Sequence, residues 1–535
     1  MNISTEAKRI EIQTSLDSSK TSLQRNEMGQ FATPKNLADS IIRESLKYLN
    51  TSIIRFLEPA IGTGSFYSAL IDQVDESKIE YAKGFEIDEH YALPAKELWA
   101  YSKLDYSIGD FLDISPPLGD NSKYNLIVSN PPYVRHHHLK NGLKEILNSK
   151  VKEIFGIKFS GLSGLYCYFL SLSAQWLKKD GVSVWLIPGE FLDVNYGIFV
   201  KQFLLAKVKL LRIHRFNPES VQFTDALVSS VVVFYSTGKT SDPVSFTTGS
   251  NIEEPNTINL INPSLLNPNE KWLSWFFTTI PRKIYKKCIG DYFTVKRGIA
   301  TGSNKHFVLT IEQIKELEVP LIYYKPILPS PRYIKDNVIK YNNDGQIMDS
   351  KCLYLLDITC SLSGIDSLPE KLQNYLLSVH KEIGNNYLVS KRSPWYKQEY
   401  RPDCPFLMTY MGRNSDEPFR LILNTTNATA TNVFLMLYPR FDWKKLHAND
   451  KDFLIKLHSQ LLNIKSSTYL ASGRVYGGGL FKIEPKELMQ TPIDEILSSE
   501  MIELFDSTNR KEYQLSLFER PKNDYLSFNR QEKIV

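Results

Sequence analysis

The sequence contains no apolar run approaching the ~18 residues that a membrane-spanning helix requires, so no membrane association is expected. Its first residues, Met1-Asn-Ile-Ser-Thr-Glu-Ala-Lys, lack the apolar core of an export signal, which points to a cytoplasmic protein. Cysteine is scarce. Cys167, Cys288, Cys352, Cys360 and Cys404 are odd in number, widely spaced and form no C-x-x-C, which excludes a disulfide framework and a zinc finger. Charge of one sign is lacking too: 64 Lys+Arg against 59 Asp+Glu leaves +5, which permits a polyanionic partner without demanding one. Glycine and proline are scattered without period, excluding a collagenous or low-complexity chain. A length of 535 residues exceeds one hydrophobic core, so two or three domains are expected.

What is present is an ordered alternation. Residues 1–24 are polar, rich in Ser and Thr and weakly periodic, and read as an N-terminal arm or helical lead-in. Residues 25–240 read as one domain, in which from about residue 50 short apolar strands alternate with helices. The strands are Ile53–Leu57, Tyr81–Ile87, Tyr106–Ile108, Asn125–Ser129 and Val182–Ile187, with a helix over Leu165–Leu177 before the fifth. Leu211–Phe216 and Leu227–Tyr235 follow with a connection too short for a crossover helix, which implies an antiparallel pair. The expectation is α/β: a doubly wound, mostly parallel sheet of seven strands. Residues 241–285, rich in Thr, Ser, Asn and Pro, read as a linker with Trp272–Phe277 as a packing element. Residues 286–535, with a helical stretch near Phe453–Leu462, read as a second domain of α+β type.

The chemistry is concentrated at the strand ends. Phe56-Leu-Glu-Pro-Ala-Ile-Gly-Thr-Gly-Ser65 feeds a strand through a glycine turn into a helix, where a ligand can approach the backbone. No Gly-Lys-Ser/Thr follows, and Glu58 opens the turn, so it is not a phosphate cradle. A carboxylate there suits an ammonium. Glu86, roughly twenty residues beyond the turn, occupies the position that holds a ribose diol. Asp110 follows the third strand and can accept from an exocyclic amine. Adenosine plus an ammonium describes S-adenosylmethionine better than a dinucleotide.

The sharpest motif is Ser129-Asn-Pro-Pro-Tyr133, directly after the fourth strand. Consecutive prolines remove two amide donors and free carbonyls to point into a site. A planar NH2 group could donate to the Asn130 side-chain oxygen and to the Pro131 carbonyl, drawing its lone pair out of conjugation. Pro132 stiffens the turn, and Tyr133 would stack on the ring bearing that amine.

This ordered set resembles the gamma class of DNA adenine N6-methyltransferases of restriction–modification systems, motif by motif over residues 24–236. The resemblance implies the class I S-adenosylmethionine-dependent methyltransferase fold and assigns residues to the cofactor. Gly29-Gln-Phe-Ala-Thr-Pro34 matches the motif that closes over the methionine end, with Thr33 near its carboxylate. Glu58, Ala60, Gly62 and Gly64 match the motif around the amino-acid moiety. Glu86 matches the ribose acid, Asp110 the residue taking the adenine amine, and Phe111 and Phe169 the aromatics on the adenine ring. Val221-Gln-Phe-Thr-Asp-Ala-Leu resembles a late motif whose aromatic, here Phe223, sandwiches a flipped base against Tyr133. Only about 65 residues separate Gly64 from Asn130, which places target recognition C-terminally. There Val295–Lys305 and Ser472–Phe481 resemble segments of target-recognition domains, with Arg297, Lys305 and Arg474 as candidate DNA contacts on flexible backbone.

The implied partner is double-stranded DNA, with a cognate restriction endonuclease as a functional partner and a monomer as the working state. A nuclease domain fused ahead of Met28 is not expected. No metal is expected, because the consecutive His136, His137 and His138 do not converge on one ion. Alternatives stay open: RNA-adenine and protein-glutamine methyltransferases share Asn-Pro-Pro-Tyr, though they lack the Gly-Gln-Phe-x-Thr-Pro start and a large C-terminal domain. Cytosine N4 transfer usually accompanies Ser at position 130, and a non-catalytic DNA-recognition subunit would not need Asn130 and Glu86 intact.

Overall fold

The computed structural model describes residues 3–134, 139, 141–194, 196–217, 222, 230–276, 287–343, 347, 352–358, 365–414, 416–476, 479–493 and 496–506. The chain divides into two compact units, residues 1–281 with 475–479, and residues 282–474 with 480–535.

The first unit is built on strands β1 (Ile54–Glu58), β2 (Ile79–Glu86), β3 (Leu104–Ile108), β4 (Tyr124–Ser129), β5 (Leu177–Pro188), β6 (Lys209–Phe216), β7 (Ser230–Ser236), β8 (Val244–Gly249) and β9 (Thr257–Ile261). Among the described residues eight helices accompany them: α1 (Ile3–Ser18), α2 (Ser22–Met28), α3 (Lys35–Leu46), α4 (Ser65–Gln73), α5 (Glu89–Leu98), α6 (Asn141–Phe155), α7 (Tyr166–Leu172) and α8 (Gly197–Ala206). The sheet runs β3-β2-β1-β4-β5-β7-β6-β8-β9. The pairs from β3 to β5 are parallel, and β7 is antiparallel to both β5 and β6.

Every residue of β4 is buried, as befits a central strand covered on both faces. Alternate residues serve opposite cores: Leu57, Ile127 and Trp185 join one apolar cluster, and Phe56, Leu126 and Val184 the other. That period-two division explains why the strands read as continuous apolar runs.

Two expectations are corrected among the described residues. The sheet has nine strands rather than seven, because the stretch expected as a linker carries β8, parallel to β6, and β9, antiparallel to β8. Trp272, Trp275 and Phe276 from the same stretch are buried in the first unit's core. The helix expected over Leu165–Leu177 ends at Leu172 and gives way to a 3-10 turn, and β5 already begins at Leu177. The N-terminal segment forms two helices, and Glu6 and Arg9 of the first are buried.

The second unit is of mixed type. Its five-stranded sheet runs in the order Phe293–Arg297, Phe434–Pro439, Phe406–Thr409, Leu421–Asn424, Val338–Ile339, beside sheets of four and three strands. The helix expected near Phe453–Leu462 spans Phe453–Leu461 and buries Leu454, Leu457 and Leu461 in a core with Phe406 and Leu437.

Candidate active site

The strand order reverses between β1 and β4, and a crevice opens there at the carboxyl ends of the strands. One cavity at this place is lined by Thr33, Glu58, Ala60, Gly62, Glu86, Asp110, Phe111, Asn130, Pro132 and Phe169. Residues separated by more than a hundred positions therefore share a wall because four strands end side by side. Gly64, Pro131 and Tyr133 lie outside this lining.

The turn after β1 is shaped by glycine. Gly64 has φ +88°, and a Cβ there would stand 2.7 Å from Trp99 Nε1, which donates to the Thr63 carbonyl at 2.9 Å. The Gly62 amide donates to Glu86 Oε2 at 3.0 Å, and the Asp88 amide to Glu86 Oε1 at 2.9 Å. These bonds fix the Glu86 carboxylate against the turn. Burial nevertheless pushes its pKa up. The same cause raises Asp110, whose Oδ1 accepts the Leu112 amide at 2.9 Å. Phe111 and Phe169 lie nearly parallel, with ring centroids 5.8 Å apart.

Glu58 is 2% exposed, and its Oε2 has no hydrogen-bond partner. Burial drives its pKa well above the ordinary carboxylate range, opposed by the Tyr67 backbone N–H in the first turn of α4 and by Arg9. A buried acid with an open oxygen is costly to maintain without a ligand.

Asn130 carries the second open atom. Its Nδ2 donates to the Phe31 carbonyl at 2.9 Å and to Thr33 Oγ1 at 3.1 Å. A carbonyl only accepts, so this contact fixes which end of the amide is nitrogen. Both donors are spent on the Gly29–Pro34 segment, and Oδ1 is left buried without a partner. The segment is locked to the motif by backbone: Tyr133 N–H donates to the Gly29 carbonyl at 3.0 Å, and a Cβ on Gly29 would meet Tyr133 N at 2.4 Å.

Tyr133, expected to stack on the target ring, is packed inward in this structure. It is 8% exposed, its hydroxyl donates to the Leu186 carbonyl at 3.0 Å, and its ring packs at 5.6 Å on Phe31. Phe223 and His136–His138 lie outside the described residues. In the second unit Arg297 does not sit on flexible backbone but ends a strand paired with Phe434–Pro439. Its Nη2 is held by both oxygens of Glu484 at 2.7 Å, and its guanidinium lies 4.7 Å from the Tyr410 ring centroid. Arg474, also in a strand, bonds Glu487 Oε1 at 2.7 Å. Lys305 is different: its side chain is 81% exposed, with Glu382 3.8 Å away. The cavity also contains residues that sequence reasoning missed, Gln13 and Asp17 of α1 among them. The polar, weakly periodic arm offered no signal for them.

Residues 40–222 match the Eco57I restriction-modification methylase family, and residues 269–518 match the C-terminal domain of the Type II methyltransferase M.Eco57I. The two matches and the relatives identify a restriction–modification DNA methyltransferase, similar to the Eco57I type. The methyltransferase is 27% identical to the Type II methyltransferase M.AccI of Acinetobacter calcoaceticus over 96% of its own length and 93% of that relative. It is 24% identical to M.XamI of Xanthomonas campestris pv. amaranthicola, over 85% and 84% of the two chains. Its fold is shared by the Type IIL restriction-modification enzyme MmeI, at 14% identity and a TM-score of 0.50, over 97% of the methyltransferase and 76% of MmeI. No helix among its described residues is long and apolar enough to cross a membrane.

Proposed function

We propose that the methyltransferase moves the methyl group of S-adenosylmethionine to N6 of an adenine extruded from double-stranded DNA, marking one recurring sequence against a cognate endonuclease. The observation that carries this reading is Asn130. Its two donors are already spent, so the only group it can offer a substrate is the acceptor Oδ1, which is what an amine to be methylated requires.

The residues present fit the cofactor. Glu58 Oε2 is an open acceptor for an ammonium, Glu86 is fixed in place for a ribose diol, and Asp110 stands beside Phe111 and Phe169 for an adenine. When bound, the sulfonium supplies the electrophilic methyl group. The chain's own residues supply positioning: Asn130 Oδ1 accepts one N6 hydrogen and the Pro131 carbonyl the other, leaving the nitrogen lone pair to form the new N–C bond. A bound cofactor would give up its methyl group with the sulfur leaving as a neutral thioether, and the extra N6 proton would pass to water.

Adenine N6 is unreachable within the stack, so the base has to leave the duplex. Stacking between Tyr133 and Phe223 would then hold it, which requires a rearrangement around the buried Tyr133 ring. DNA as the partner is supported by the naming of the relatives and by MmeI, whose structure is described in complex with DNA. Lys305 is the candidate phosphate contact, and Arg297 and Arg474 are candidates that must first be released from their carboxylates.

The test is transfer of label from methyl-labelled S-adenosylmethionine to unmethylated bacterial DNA, RNA and protein offered to the purified chain. Label in N6-methyladenine of DNA is expected. Label in N4-methylcytosine, in RNA adenine or in glutamine would replace this reading by the corresponding alternative.

A further inference from the structure

The N-terminal segment is tied into the cavity by a directed chain of hydrogen bonds. Buried Arg9 is paired with Glu6 through two bonds of 2.7 Å and donates from Nη1 to Thr63 Oγ1 at 3.1 Å. Thr63 stands in the glycine turn, and its hydroxyl proton goes on to Gln13 Oε1 at 2.6 Å. Gln13 Nε2 then donates to Asp17 Oδ1 at 2.9 Å. From the other side the Tyr91 hydroxyl, on α5, donates to the same Oδ1 at 2.9 Å. Each link has one possible direction, because Arg9 only donates and a carboxylate only accepts.

The consequence is an oriented carboxylate. Both bonds converge on Oδ1, and Asp17 Oδ2 has no protein partner among the described residues while Asp17 lines the cavity. Tyr91, on the helix that begins three residues after Glu86, anchors Asp17 at the Glu86 side of the cavity, and Gln13 ties it to the glycine turn. A carboxylate at that side, with one oxygen pinned and one open, is suited to hydroxyl donors.

We propose that Asp17 is a cofactor-binding residue that accepts a hydrogen bond from the ribose hydroxyls opposite Glu86, with Gln13 and Tyr91 positioning it. This rests on reading the cavity as the S-adenosylmethionine site. It makes α1 a functional wall of the pocket rather than a lead-in, and gives the buried Glu6–Arg9 pair the role of holding that wall to the glycine turn.

Calorimetric titration of the full chain with S-adenosylhomocysteine and with its 2′,3′-dideoxyribose counterpart tests this, alongside the melting temperature of each cofactor-free protein. Asp17→Ala is expected to weaken S-adenosylhomocysteine binding by about ten- to a hundredfold and to change binding of the dideoxy compound by less than about threefold. Asp17→Asn, which keeps the volume and an acceptor for Gln13, is expected to show the same selectivity with a smaller loss, and carries the test if the alanine variant does not fold. An equal loss for both compounds, or no loss for either, overturns the proposal and leaves Asp17 as a packing residue. If the wild-type chain binds neither compound, the reading of the cavity itself fails and this inference goes with it.

Discussion

The strand ends of the first unit and the candidate DNA-contact arginines of the second present their polar atoms in opposite ways. At the strand ends of the first unit, Glu58 Oε2 and Asn130 Oδ1 are buried and left open. In the second unit the arginines expected to meet DNA already have carboxylate partners, Glu484 for Arg297 and Glu487 for Arg474. An unmet buried acceptor costs stability and is retained where a ligand completes it, whereas a matched pair costs little and serves as scaffold. Ligand chemistry is therefore expected from the open atoms, and the paired arginines are expected to shape the second unit first.

The largest effect that could break this contrast is at Asn130. Asn130→Ala is expected to lower methyl transfer by at least about a thousandfold while S-adenosylhomocysteine affinity stays within about threefold, read by label transfer and calorimetry. Turnover near the wild-type rate would remove Asn130 from the chemistry.

Glu58 comes next, and its two consequences have opposite signs. A raised folded-state pKa means that the folded chain holds its proton longer than the unfolded chain does. Its contribution to stability is thus present at low pH and is lost as pH rises from the ordinary carboxylate range through the raised value. Glu58→Gln is expected to raise the melting temperature of the cofactor-free chain by about 2–4 °C at pH 8, with a smaller gain at pH 5. The same variant is expected to bind the cofactor about ten- to a hundredfold more weakly, because a neutral amide does not hold an ammonium. In the wild type, cofactor affinity is expected to rise with pH over the range in which free Glu58 ionises. A variant that loses stability and keeps affinity would mean that Glu58 is structural.

Arg474→Ala sharpens the other side of the contrast. The Glu487 side chain is 8% exposed, so removing its partner leaves a nearly buried charge, with an expected cost of about 1–3 kcal/mol in denaturant unfolding. The smallest effect belongs to Lys305→Ala, which is expected to leave stability unchanged and to reduce the slope of log affinity for DNA against log salt by about 1. A stability loss at Lys305, or none at Arg474, would reverse the assignment of scaffold and contact.

The same contrast decides what could be read from the sequence. Glu58, Glu86 and Asn130 were legible because each stands where an apolar strand stops and a turn signal begins. Their convergence follows from strand order, and strand order follows from the β/α alternation. The β8–β9 extension was not legible, since Thr257, Ile258 and Leu260 are exposed and the edge strand has a linker's composition. Helix α1 was legible only as a polar arm or helical lead-in: it buries the ion pair of Glu6 and Arg9, so no apolar stripe announces it. The tether of Arg297 comes from Glu484, 187 positions away, and no local pattern encodes such a pairing. Asp17 was hidden because Tyr91, which helps to position its carboxylate, lies 74 positions away on α5.

The central claim, that this cavity methylates adenine through Asn130, is met most directly by sequencing the genome of a methylation-free bacterial host by a modification-sensitive method. The host would express either the wild-type chain or Asn130→Ala. The account predicts N6-methyladenine at one recurring sequence with the wild type and none with the variant. Absence of N6-methyladenine with the wild type, or the same pattern with both, would contradict it.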